Sequence, residues 1–155
     1  MKIIIGSDHG GFELKEYIKS IDFSKLINKK VEIEDVGTFN KDSCHYPEFS
    51  KKVVERLLNE KLVSNNPADE VENFGILVCT TGIGMSISAN RNKSIRASLV
   101  HFPEEAHLTR QHNNSNVLCL GAKFTKIEDV EEILKEFLTT KFDGGRHLER
   151  IKMYC

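Results

Sequence analysis

The side chain with the greatest chemical potential is Cys79, which closes the apolar run GILVC (75–79) and leads directly into TTGIG (80–84). Glycines ahead of a helix-capable segment let successive main-chain N–H groups face one anion, with help from the helix dipole. A thiol among such donors has its thiolate stabilised, and only the thiolate is a base or nucleophile. Taken alone, Cys79 also fits as buried filler and CTTGIG as a plain strand-to-helix turn. No third glycine follows for a dinucleotide fingerprint, no Gly-Lys-Ser/Thr occurs, and residue 85 is Met, not the Arg of a phosphatase loop.

Three more segments carry reactive types. SDHGG (7–11) presents Asp8 and His9 at a strand end, where a helix cap is the simpler role. RQHNNSN (110–116) puts His112 at a helix C-terminus, where the dipole favours the imidazolium and suits a proton donor. GGRHLER (144–150) spaces Arg146 and Arg150 four apart, one face if helical, and paired guanidinium groups match phosphate geometry. His107 and His112 lie ~140° apart around a helix, and HExxH is absent, so no metal site is expected. Together these parts describe acid–base chemistry beside a carbonyl on a small phosphorylated molecule.

The elements that must position them alternate. Strand-length segments, apolar at 2–6, 75–79, 95–100 and 117–121 and alternating apolar with acidic at 31–37, are separated by amphipathic stretches, notably 47–62, 103–112 and 127–142. This pattern predicts a three-layer α/β/α fold, Rossmann-like, with a five-stranded mostly parallel sheet. Residues 1–155 read as one domain, with 64–73 a surface loop and the tail 144–155 near the site or a subunit contact. In such sheets ligands bind outside the carboxyl ends of the strands, where SDHGG, CTTGIG and GAK (121–123) converge.

A formal net charge of −1 with no basic stripe argues against nucleic acid, and no apolar run approaches the ~20 residues of a membrane span. The chain starts on a strand-like run with no leader pattern, so a cytoplasmic location is expected, with Cys44, Cys79, Cys119 and Cys155 as free thiols.

In order, GSDHGGFELK, DSCHYPEF, GILVCTTGIGMSISANR, IRA, LTRQHNNSNVLCLGAK and GGRHLERI resemble the type B ribose-5-phosphate isomerase family. That family includes galactose-6-phosphate isomerase subunits and allose-6-phosphate isomerases. The resemblance implies an aldose–ketose isomerase of the pentose phosphate pathway that interconverts ribose 5-phosphate and ribulose 5-phosphate through an enediolate. It implies Cys79 as the base, Thr81 as its support, and the main chain of Thr80, Thr81, Gly82, Ile83 and Gly84 as the anion hole. His112 matches the residue that opens the furanose ring. Asp8, His9, Tyr46 and Asn113 match sugar contacts, Arg146 and Arg150 the phosphate clamp, and Lys123 a further basic position. It also implies a site between subunits of a homodimer or a tetramer of dimers, with no cofactor and no metal.

Thr80 stands where relatives carry glycine, and positive φ there would strain a threonine. The 64–73 loop is longer than usual. Six-carbon sugar phosphates remain an alternative substrate class, and a non-catalytic phosphosugar-binding protein an alternative function.

Overall fold

The computed structural model describes residues 1–155. Five strands form one sheet: β1 (Lys2–Ser7), β2 (Glu32–Asp35), β3 (Phe74–Cys79), β4 (Ala97–Val100) and β5 (Val117–Gly121). Their order is β2-β1-β3-β5-β4 and every neighbouring pair is parallel, Ser7 beside Val78 and Cys79 beside Gly121. The three central strands are the apolar ones, as a sheet covered on both faces requires.

Alternation along those strands supplies two cores. Ile3, Ile5, Ile76, Val78, Leu118 and Leu120 face one layer of helices, whereas Ile4, Leu77, Val117 and Cys119 face the other. The first layer contains α1 (Phe12–Ser20), α2 (Phe23–Ile27), α5 (Pro103–Asn113) and α6 (Val130–Thr139); the second contains α3 (Tyr46–Asn59) and α4 (Ile83–Ala89). A last helix, α7 (Gly145–Ile151), packs on α5 and buries Ile151. Each buried Ile or Leu contributes roughly 1.5–3 kcal/mol. No helix is long and apolar enough to cross a membrane.

Two details depart from the sequence reading. Helix α2 was not anticipated: Asp22 caps it by accepting from Ser24 N at 3.1 Å, and Asn28 ends it at φ 52°. The stretch 127–142 is shorter as a helix, because Ile127–Asp129 forms a 3₁₀ turn and Thr140 is extended.

Beside β2 lies an unusual group. Lys15 on α1 is wholly buried, and its Nζ contacts Asp35 at 2.5 Å and Glu16 at 2.6 Å; Lys19 reaches the same Asp35 oxygen at 2.6 Å. Burial works to raise the Asp35 pKa, but hydrogen bonds from Lys15, Lys19 and Gly37 N–H outweigh it and hold the carboxyl below its ordinary value. Removing the Asp35 charge leaves the buried Lys15 ammonium with the half-exposed Glu16 as its one carboxylate, so Asp35→Asn is expected to lose about 3 kcal/mol at pH 7 by urea denaturation. The Asp35 contribution is complete above the ordinary carboxylate range and is lost as pH falls through the lowered pKa. The gap between wild type and variant therefore narrows on acidification. A variant within about 1 kcal/mol of wild type at pH 7 would overturn the assignment.

Candidate active site

Cys79 ends β3 at the carboxyl edge of the sheet, 5% exposed. Gly82 N–H donates to its Sγ at 3.1 Å. That approach requires Gly82 to cap α4 at φ +75°, and a Cβ there would lie 2.4 Å from Leu99 Cδ1. The N–H groups of Thr80, Thr81 and Gly84 have no main-chain acceptor. They are free to meet an anion beside the sulfur. The Thr81 hydroxyl accepts from Ile83 N at 3.4 Å, bracing the loop rather than bonding to the thiol.

Neighbouring turns are stitched to this loop. Asp8 N donates to Val78 O at 3.2 Å while its carboxylate accepts from Gly11 N at 3.0 Å. The carboxylate thus caps the 3₁₀ turn His9–Gly11 at the foot of α1. Ala122 N and Lys123 N donate to Cys79 O and Thr80 O at 2.9 and 3.0 Å, which fixes the GAK turn and leaves the Lys123 side chain exposed. The exposed His9 accepts from Cys44 N at 3.2 Å through Nδ1, so the 37–45 loop leans on it. Tyr46 opens α3 with its ring against Gly84, where a Cβ would sit 2.6 Å from Tyr46 Cζ. Asp8, His9, Tyr46, Thr80–Gly84 and Lys123 therefore all border one rim with Cys79.

The conditional strain at Thr80 does not arise. Positive φ in this loop falls on Gly82, and Thr80 is not among the non-glycine residues that adopt it. The Thr80 side chain fills the space over Gly10, where a Cβ would come within 2.1 Å of its Oγ1.

His112, Asn113, Arg146 and Arg150 lie elsewhere. Helix α5 leaves the carboxyl edge at Pro103 and returns to the amino edge, where Asn116 precedes β5 and pairs with Gly75 N. Along β3 the two edges are roughly 15 Å apart at ~3.3 Å per residue. At that amino edge His112 stacks on His147, ring centroids 4.3 Å apart and planes within 8°. Asp143 joins them: its N–H donates to Gln111 O at 3.0 Å, and the three side chains hold their ligand atoms within 4.8 Å. Burial, then His112 and the guanidinium groups of Arg146 and Arg150, hold His147 below the ordinary imidazole range against the pull of Asp143. Arg146 and Arg150 extend outward from α7, exposed.

Sequence reasoning missed His147 and Asp143, although GGRHLER contains the former. It also assigned no role to Cys44, which touches His9, Sγ to Nδ1 3.8 Å. Cys119 is wholly buried, and burial and the nearby Cys79 push its thiol pKa up.

A family model described as ribose/galactose isomerase matches residues 3–154. Ribose-5-phosphate isomerase B of Escherichia coli K12 is 36% identical over 151 residues, covering 97% of this chain and 92% of the relative. A crystal structure of a ribose 5-phosphate isomerase from Thermotoga maritima has a TM-score of 0.83 at 45% identity, covering 99% of this chain and 96% of that one. Ribose-5-phosphate isomerase B from Mycoplasma genitalium, solved with bound ribulose-5-phosphate, has a TM-score of 0.82 at 34% identity, covering 98% and 92%. The ordered motifs, the all-parallel sheet and these matches along nearly its whole length agree: the chain belongs to the ribose/galactose isomerase family.

Proposed function

We propose that the protein is an aldose–ketose isomerase of ribose 5-phosphate and ribulose 5-phosphate, with Cys79 as the base and a site completed by a second copy of the chain. The observation that carries this reading is the Cys79 sulfur held by Gly82 N–H at 3.1 Å beside main-chain donors free of other main-chain partners. Proton transfer between C2 and C1 needs a base on one face of the sugar and donors for the oxygen that gains charge.

In the proposed reaction His112 of one copy protonates the ring oxygen while the O1 hydroxyl proton leaves to solvent, so that the bond from C1 to the ring oxygen breaks and the furanose opens. The Cys79 thiolate of the other copy then takes the C2 proton. The amides of residues 80–84 hold the enediolate oxygen, the hydroxyl proton passes from O2 to O1, and the thiol returns its proton to C1. Asp8, His9, Tyr46 and Asn113 orient the open chain, while Arg146 and Arg150, with Lys123, take the phosphate. A group stabilising the oxyanion contributes about 3–4 kcal/mol in enzymes that use one.

Two copies are required because one chain separates the halves. A two-fold axis perpendicular to the strands inverts the sheet, bringing the amino edge of one copy to the carboxyl edge of the other. The face beside the open edge of β4 is suited to this contact. Ile83 and Ile87 on α4 and Leu108 on α5 are 50%, 52% and 39% exposed, and a groove of about 370 Å³ runs past Val100 and Leu108 to His112. Placed this way, the tail 144–155 serves the partner's site.

Cys79→Ala is expected to lower kcat for ribose 5-phosphate by at least about 10³-fold while the sugar phosphate still binds. Turnover near the wild-type rate would refute the base assignment. Allose 6-phosphate assayed in parallel tests the substrate class, with the higher kcat/KM expected for the five-carbon sugar.

Sharing of the site has its own test. Co-expression of Cys79→Ala with Arg146→Ala/Arg150→Ala, each nearly inactive at low substrate, should restore about a quarter of the wild-type rate through mixed dimers. No recovery in mixed dimers verified by mass would mean that the site is not shared.

A further inference from the structure

The cluster at the amino edge contains more than the isomerase chemistry uses. His112, Asp143 and His147 bring two imidazoles and a carboxylate together, all three ligand atoms within 4.8 Å of one another. Two nitrogens and one oxygen form a donor set typical of zinc with one position left open. In a tetrahedral zinc site neighbouring ligand atoms are about 3.3 Å apart, so closure requires shifts of roughly 1–1.5 Å. The rings provide this by tilting, since they now stack face to face at 4.3 Å and are half-exposed. Asp143 is exposed and anchored only through its main chain, Asp143 N to Gln111 O, which leaves its carboxylate free to turn inward.

The electrostatic balance sets the strength. Arg146 and Arg150, on the same helix as His147, oppose a cation. Asp143 and the negative end of α5, where His112 sits in the last turn, favour it. Moderate affinity follows, with selectivity for a borderline metal. Magnesium and calcium prefer cages of oxygen ligands and find a single carboxylate here.

We infer that His112, Asp143 and His147 form a binding site for Zn²⁺, at which the metal competes with the sugar for His112. The metal has no role in the isomerisation. It binds the imidazole that the proposed ring opening uses, so loaded protein turns over slowly. The inhibition, though not the binding, rests on the proposed function.

The test is calorimetric titration of Zn²⁺ into the full-length, chelator-treated protein at pH 7.5, with Mg²⁺ as the control. One site per chain is expected, with Kd below about 10 µM, weakened at least tenfold by Asp143→Asn and by His147→Gln. No site tighter than about 100 µM overturns the proposal. So does affinity that survives both substitutions but disappears in Cys44→Ser, which would assign the metal to a thiol. Co²⁺ bound to the Cys79→Ala protein, which removes the thiol that the second copy would bring to the open position, supplies a second readout: a spectrum without sulfur-to-cobalt charge transfer supports the nitrogen–oxygen site, and a strong charge-transfer band refutes it. Isomerase activity is read alongside, with inhibition by Zn²⁺ and recovery on EDTA expected. Zn²⁺ bound at this site with undiminished turnover supports the metal site and refutes the ring-opening role of His112 instead.

Discussion

The direction of the strands governs everything else in this molecule. Because all five run the same way, every loop leaving a strand emerges at one edge and every helix returns to the other. Cys79, the 80–84 loop, Asp8 and Lys123 follow strands and therefore share the carboxyl edge. His112 ends a returning helix and Arg146 follows another, so both occupy the amino edge. No rotamer change can close a separation of roughly 15 Å built from strand length. A site that uses both sets must join two chains, and a two-fold axis is the simplest operation that exchanges the edges. Dimerisation in the proposed reading is thus a consequence of topology.

A buried polar network fixes the turn at the amino edge. Asn114, wholly buried at φ 47°, ends α5; its Nδ2 donates to Pro67 O and Asp69 O at 3.1 and 2.9 Å, and its Oδ1 accepts from Arg110 Nη1 at 2.8 Å. Arg96 donates from Nε to Asn114 O at 2.9 Å, and Asn116 Oδ1 accepts from Arg96 N at 2.8 Å. Burial and the neighbouring Arg96 lower the Arg110 pKa to about 10, with Glu70 opposing them, so it remains a cation at neutral pH lying over the rings of Phe74 and Phe137. Hydrogen bonds to charged groups contribute about 1.5–3 kcal/mol each. The network locks the turn that presents His112 and Asn113, and it ties the 64–73 loop to the same turn. The loop is therefore part of the scaffold behind that turn.

How far the sequence reaches follows from the same geometry. The three central strands were legible because their apolar runs are nearly continuous, and β2 because apolar and acidic residues alternate around it; the carboxyl-edge loops were legible because they follow those strands directly. Helix α2 was not, since five residues give too little period to register and its signal is one capping aspartate, Asp22. The Asp143–His147 pair was missed for another reason. His112 and His147 are separated by a strand and a helix, and only the return of α6 to the amino edge brings them into stacking. Spacing rules detect ligands on one helix, which His107 and His112 failed to be, and give no access to partners assembled by topology. Lys15 was equally hidden, a lysine on a predicted amphipathic helix that tertiary packing buried completely.

Positions 80 and 82 differ in how much change the loop tolerates. Two features hold the thiol: the positive φ at Gly82, which turns its N–H back to Sγ, and the bonds from Ala122 and Lys123 that pin the carbonyls of Cys79 and Thr80. Neither uses the side chain at position 80. A threonine fits there because the adjoining turn has Gly10, whose missing Cβ leaves the space that Thr80 Oγ1 occupies. Position 80 contributes its N–H, which every residue except proline has, so substitution there leaves the donor array intact. At position 82 the backbone itself holds the sulfur. A Cβ would meet both an unfavourable φ and the side chain of Leu99, and the sulfur would lose its main-chain donor.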